Sequence, residues 1–367
     1  MAASPERGVF YMKKRNALTR IVCALLCVVM MLSLAACGET KESSRSLFAM
    51  DTTMTLVAYG KNRESGLDAA ESVIRSMDTM LDPENPSSTV WAINHANGEN
   101  VVVPGQVADM LTAAKQVYSQ SAGALDLTVY PLLKLWGFID SKYYVPYDYE
   151  ILDELSRVCF DQVLLTSFPS SGTYTVSMPS YGEMSFGAVA KGCAADKAIE
   201  AMSAAGVTSG IVSLGGNVQT LGLKPDGTQW RVGIDDPNNS GKGYVGVLNV
   251  GETAVVTSGS YQRYFTDVTT GNTYHHILKP QSGYPVSNNL LSATIICADG
   301  TMADCLSTAM FVLGEVQSLN YWRQYGKTDG GGFDMVLITK DNRIICTKGL
   351  IEDFVLVNEE YTLSYSE

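Results

Sequence analysis

The sequence predicts an α+β fold: one domain with a mainly antiparallel sheet and helices packed against it. Three observations carry that prediction. Strand-like runs outnumber helical ones and follow one another directly through the C-terminal half, which favours antiparallel pairing over a regular βαβ array. No internal repeat or long linker divides the chain. A composition of 46% apolar and 17% charged residues over 367 positions suits one large core and excludes a disordered or collagen-like chain.

The elements follow in order. Residues 54–59 are β-prone. Residues 65–81 place Leu67, Ala70, Val73, Ile74, Met77 and Leu81 at helical spacing, an amphipathic helix. Residues 82–88 form a loop by their Pro, Asn and Ser content. Val107, Met110, Leu111, Ala114, Val117 and Tyr118 mark a second helix, stopped at Gly123. A third spans 194–204 and closes at Gly206. Residues 211–214 read as a short buried strand before Gly215-Gly216-Asn217. Further strands fall at 230–234, 244–250, 254–257, 291–297, 335–339 and 343–348, with a helix at 301–313 closed by Gly314. A GxGxxG turn after a first strand and a Walker A loop are both absent, so neither a Rossmann nor a P-loop site is indicated.

The charge is unevenly placed. The chain has 26 Lys+Arg and 38 Asp+Glu, a net of −12. Five bases (Arg7, Lys13, Lys14, Arg15, Arg20) and one acid (Glu6) lie in residues 1–36; without them 21 basic and 37 acidic residues remain, a net of −16. That balance, with no Lys/Arg cluster after residue 50, argues against a nucleic-acid partner. The basic start precedes a 14-residue run, 21–34, apolar apart from Ser33. It is shorter than the ~20 residues of a spanning helix, and its layout is that of a secretory signal. It ends in Leu34-Ala35-Ala36-Cys37, which resembles the bacterial lipobox, and Met12-Lys13-Lys14-Arg15 opens as such signals do. A plain signal or an uncleaved anchor is the alternative. The expected division is a signal peptide at 1–36, a polar tether at 37–46 beginning with lipidated Cys37, and a folded domain at 47–367. This places the domain outside the cytoplasmic membrane, anchored to its outer face.

Cys159, Cys193, Cys297, Cys305 and Cys346 remain in the folded part. They are odd in number, scattered and without a CxxC pair, which argues against a disulfide framework or a zinc site. One disulfide stays open for an exported protein; buried small apolar residues are the plainer expectation.

Four segments have the residue types that chemistry needs. Gly123-Ala124-Leu125-Asp126 puts a carboxylate just behind a turn, where it can accept hydrogen bonds from a bound polar group. Gly187-Ala188-Val189-Ala190-Lys191-Gly192 leads small residues into a helix, whose bare N-terminal amides suit a pyrophosphate, with Lys191 adding a mobile positive charge. His275 and His276 precede a Pro/Gly turn; as strand neighbours they point to opposite faces, so one can face a site as a general base. Asp304 and Thr308 stand one helical turn apart, and a carboxylate with a hydroxyl suits a hard cation such as Mg²⁺. Taken singly, each also fits a structural role: a turn cap, tight helix packing, surface histidines, an acid in a first helical turn.

Together, and in this order, the segments resemble the ApbE family of FAD:protein FMN transferases, many of which are lipoproteins. The matching text is Met50-Asp51-Thr52 (family MGT), residues 123–138, 187–196, Leu214-Gly215-Gly216-Asn217, residues 230–237, Thr257-Ser258-Gly259-Ser260-Tyr261, residues 276–285, and 302–308 (family MxADxxxT, one residue shorter here). It covers about 47–355. The resemblance implies a T-fold-like α+β catalytic domain. It also implies an enzyme that binds FAD with Mg²⁺, moves the FMN half onto a Thr or Ser hydroxyl of an exported acceptor flavoprotein, and releases AMP. Asp304, Thr308 and the Ala188 carbonyl then correspond to the metal ligands. Met50, Ala124, Leu125, Asp126, Lys191 and Ile277 fall at FAD-contacting positions, with Leu81 near a further one. His276 matches the His that assists the acceptor hydroxyl. Two positions depart: Ser185 stands where the family usually has an FAD-contacting Asp, and Lys279 replaces the Asp of HxxDP. An FAD pyrophosphatase giving FMN and AMP, and a non-enzymatic membrane-tethered FAD carrier, are the competing readings.

Overall fold

The computed structural model describes residues 41–326 and 332–366. The expected signal, residues 37–40 of the tether and Cys37 lie outside the described residues.

In chain order the elements are β1 (Glu42–Ala49), β2 (Thr52–Tyr59), α1 (Arg63–Leu81), α2 (Thr89–Asn94), β3 (Val101–Val103), α3 (Gly105–Gln120), α4 (Tyr130–Leu135), α5 (Asp148–Leu155), β4 (Leu164–Phe168) and β5 (Thr173–Ser177). Next come α6 (Ala190–Ala204), β6 (Gly210–Leu214), β7 (Asn217–Leu221), β8 (Trp230–Asp235), β9 (Tyr244–Val250), β10 (Ala254–Gly259), β11 (Tyr264–Thr266) and β12 (Thr273–His275). The chain finishes with β13 (Leu290–Cys297), α7 (Gly300–Leu313), α8 (Glu315–Tyr325), β14 (Phe333–Thr339), β15 (Arg343–Thr347), β16 (Phe354–Leu356) and β17 (Thr362–Ser366).

A nine-stranded sheet runs β1-β2-β6-β7-β10-β13-β14-β15-β17, antiparallel except for the β15–β17 pair. Its central strands are apolar on both faces, and alternate residues serve different cores. Ala254, Val256, Ile295 and Cys297 pack with α1, α3, α6 and α7, while Val255 and Ile296 turn to a second cluster under β8, β9 and β16. The result is a sheet sandwiched between a helical layer and a small three-stranded sheet. A satellite cluster around Trp136, Phe138 and Ile151 seats the 130s segment, and the Trp136 indole N–H donates to the Gly283 carbonyl at 2.9 Å.

Two expectations need correction. Among the described residues regular structure starts at Glu42, ahead of the expected Leu47, because β1 pairs with β2 along its whole length, from Glu42 opposite Tyr59 to Ala49 opposite Thr52. The polar residues 42–46 of the expected tether belong to this strand, and Arg45 bonds Asp68 at 2.5 Å and Glu71 at 3.1 Å on α1. The third helix starts at Ala190, four residues before the expected 194, which puts Lys191 in its first turn. All five cysteines in the described residues are free and buried.

Candidate active site

α6 and α7 cross at glycines. A Cβ on Gly192 would stand 2.1 Å from the Gly300 carbonyl oxygen, so only Gly lets the two backbones approach this closely. Each helix then caps the other. Asp304 Oδ2 on α7 accepts the Gly192 N–H at 2.9 Å, while Asp196 on α6 accepts the N–H groups of Gly300 (2.9 Å) and Thr301 (2.8 Å). Orphan amides at both helix starts are satisfied by carboxylates, which the helix dipoles also favour. Lys191 Nζ approaches Asp304 Oδ2 at 3.9 Å. Thr308 Oγ1 lies 3.3 Å from Ser258 Oγ on β10.

This crossing borders a small pocket of about 100 Å³, which Ala124, Leu125, Asp126, Ala188, Ile277, Asp304 and Thr308 line. Beside it lies a cleft of about 810 Å³ lined by Met50, Leu81 and Ser185, within the range of ~300–1,000 Å³ typical of ligand sites. Gly187, Lys191, Thr257, Gln262 and His276 border both. Every candidate site residue among the described residues therefore borders one or the other of two adjacent pockets.

The two histidines diverge as strand neighbours do. His275 is buried, its Nε2 3.0 Å from the Val286 carbonyl. His276 faces the cleft, with its backbone N–H (3.1 Å) and Nδ1 (3.2 Å) both directed at the Arg263 carbonyl. A carbonyl only accepts, so the network assigns the hydrogen to Nδ1 and leaves Nε2 with a bare lone pair. Desolvation first, and the Arg263 guanidinium second, lower the imidazole to about 3, so it is neutral at ordinary pH.

Asp126 is less free than its sequence position implied. Its Oδ1 accepts the Thr128 N–H (2.7 Å) and O–H (2.6 Å), capping a turn. Burial raises this carboxyl and the Thr128 bonds oppose the rise. Ser185 Oγ accepts the Gly187 N–H at 3.2 Å. Lys279 is exposed, and the turn it opens is intact, with its N–H bonded to the Tyr284 carbonyl at 2.8 Å. The Met50-Asp51 turn holds two successive non-Gly residues at φ +48° and +59°, and Asp78 Oδ1 accepts the Met50 N–H at 2.8 Å. Where the family has Gly, this chain bends Asp51 into the left-handed region, at a cost of about 1–2 kcal/mol.

Sequence reading missed Asp78, Tyr130, Phe138 and Arg263 as cleft residues. Arg263 follows the Thr257–Tyr261 motif by two positions, which was the one available signal.

The donor set at α6–α7 and the helix N-terminus beside it, on an α+β scaffold, have the chemistry that suits a phosphate-bearing ligand. The ApbE family model matches residues 50–330, and the chain belongs to that family. It is 30% identical over 357 residues to an FAD:protein FMN transferase of Treponema pallidum, covering 92% of this chain and 96% of that protein. It is 33% identical over 310 residues to one from Klebsiella pneumoniae, covering 84% and 92%. Among solved structures, an ApbE protein from Thermotoga maritima superposes with a TM-score of 0.75 at 28% identity, covering 84% of this chain and 98% of that one. The apo flavinyl transferase ApbE of Pseudomonas stutzeri gives 0.68 at 28% identity, covering 82% and 92%.

Proposed function

We propose that this protein is a transferase that moves the FMN moiety of FAD onto a Thr or Ser hydroxyl of an exported flavoprotein, releasing AMP, with Mg²⁺ at the α6–α7 crossing. The carrying observation is the convergence of a buried carboxylate, a hydroxyl and a neutral imidazole on one small pocket that shares its wall with a dinucleotide-sized cleft.

The pocket's donors fit the ion. Asp304, the Thr308 hydroxyl and the Ala188 carbonyl are hard oxygen ligands, and Mg²⁺ characteristically takes few protein ligands and completes its shell with waters and substrate phosphates. When bound there, the ion neutralises charge on the diphosphate and on the departing phosphate. The chain's own groups supply the rest. Lys191 and the amides opening α6 attract the diphosphate. His276 Nε2 takes the proton as the acceptor oxygen bonds to the FMN phosphorus; the bridging P–O bond breaks, and its oxygen leaves with AMP. Met50, Leu81, Ala124, Leu125, Asp126, Ser185 and Ile277 contact the dinucleotide. The membrane location rests on the lipobox at Cys37, which brings the enzyme to exported acceptors.

The test combines the full chain, FAD, MgCl₂ and an acceptor domain bearing a Thr-containing flavinylation site. An acceptor that becomes fluorescent and heavier by FMN, with equimolar AMP, is the expected result. FMN released with AMP in the acceptor's presence and no labelled acceptor points to a pyrophosphatase. Tight FAD binding without turnover points to a carrier.

A further inference from the structure

The cleft's charge is unbalanced. Asp51, Asp78, Asp82, Glu84 and Asp235 put five carboxylates around it, against two fixed cations, Lys191 and Arg263. A dinucleotide adds two negative charges on its diphosphate. Lys191 is drawn toward Asp304. Arg263 is tied to His276 instead, through the carbonyl that receives both N–H groups of that residue. Its guanidinium spends one Nη2 hydrogen on the Phe138 carbonyl at 2.6 Å. The other guanidinium N–H groups have no protein partner among the described residues, and the side chain is exposed. An anchored planar fork with idle donors at the wall of a cleft matches the oxygen geometry of a phosphate.

We propose that Arg263 binds the diphosphate of the dinucleotide beside His276, so that one residue holds the phosphoryl group with its side chain and the base with its backbone. This rests on the FAD reading above and names the residue that recognises the substrate's charge. It also couples binding to catalysis. In the free protein burial first, and then the guanidinium with smaller contributions from His275 and Lys191, keeps His276 deprotonated. An anion seated on Arg263 cancels part of that field and makes His276 a stronger base when the substrate is present.

Flavin fluorescence titrations of the full chain with FAD, and with riboflavin, which has the ring but no phosphate, separate the possibilities. Arg263→Gln is expected to weaken FAD by about 10- to 100-fold and leave riboflavin unchanged, while Arg263→Lys recovers part of the loss. The wild-type FAD affinity should fall with salt, and less steeply in Arg263→Gln. Equal losses for FAD and riboflavin, or none for either, overturn the proposal and leave Arg263 as a brace for Phe138. Should Arg263→Gln not fold, a wild-type FAD affinity in Arg263→Lys overturns it as well. A wild-type protein that binds no FAD overturns both this proposal and the transferase reading; wild-type binding with an unaffected Arg263→Gln overturns this one alone.

Discussion

On the α6–α7 side of the site, side chains sit on regular helices and are held by reciprocal capping, and Asp304 is almost fully buried. On the opposite side, Met50, Ser185 and the 82–84 segment belong to turns, one with two successive left-handed residues. Asp51, where the family has Gly, and Ser185, where it usually has Asp, fall on this turn-built side. At the helix crossing one added carbon on Gly192 would collide with backbone. The comparison separates a rigid part suited to phosphorus chemistry from an adjustable part suited to choosing the rest of the ligand.

The largest expected break is on the rigid side. Asp304→Asn should lower transfer by on the order of 10³-fold and raise the Mg²⁺ requirement, read by acceptor labelling across a metal titration. His276→Asn should cost about 10²-fold in transfer while leaving FAD affinity intact; the depressed imidazole makes a weak base, so the effect sits at the low end for general bases. The same substitution has a pH signature. The folded state holds this His neutral down to about pH 3, whereas the unfolded chain takes up the proton below about 6.5, so stability falls as pH drops through that window. Urea melts should show a shallower acid decline in His276→Asn, with the lowered His275 still contributing. Gly192→Ala should destabilise by about 1–3 kcal/mol and depress activity with it, measured as a fall in the urea midpoint.

The turn side should respond more gently, and in the direction of improvement. Ser185→Asp restores the family's residue and is expected to tighten FAD by about tenfold, since a hydrogen bond to a charged group exceeds one to a hydroxyl. Asp51→Gly removes left-handed strain but loosens the unfolded chain, leaving a net gain below about 1 kcal/mol by thermal melting. A large loss in either variant would contradict the division between the two sides.

The helices with a strong apolar stripe and the core strands were legible because their periodicity is local. Residues such as Asp304, Lys191 and His276 stood out by type and spacing, and the order of the motifs supplied the family. β1 was not legible: its sequence alternates, but only Leu47 and Ala49 are buried, so hydrophobicity gives it no signature. The mutual capping of α6 and α7 was invisible too, since Gly192 and Asp304 are 112 positions apart and only the fold brings them together. Arg263 escaped because its role comes from what its carbonyl and guanidinium touch, and a lone Arg in a loop announces neither.

The helix crossing also carries two hidden thiols. Burial pushes Cys193 on α6 up to about 12 and Cys305 on α7 well above its ordinary value, so neither forms thiolate while the helices stay packed. Maleimide labelling of Cys193 and Cys305 in particular, separated from the other cysteines by peptide mapping, then requires α6 and α7 to part, and the rate at those two positions becomes a clock for that opening. A ligand that bridges the two helices should slow the clock.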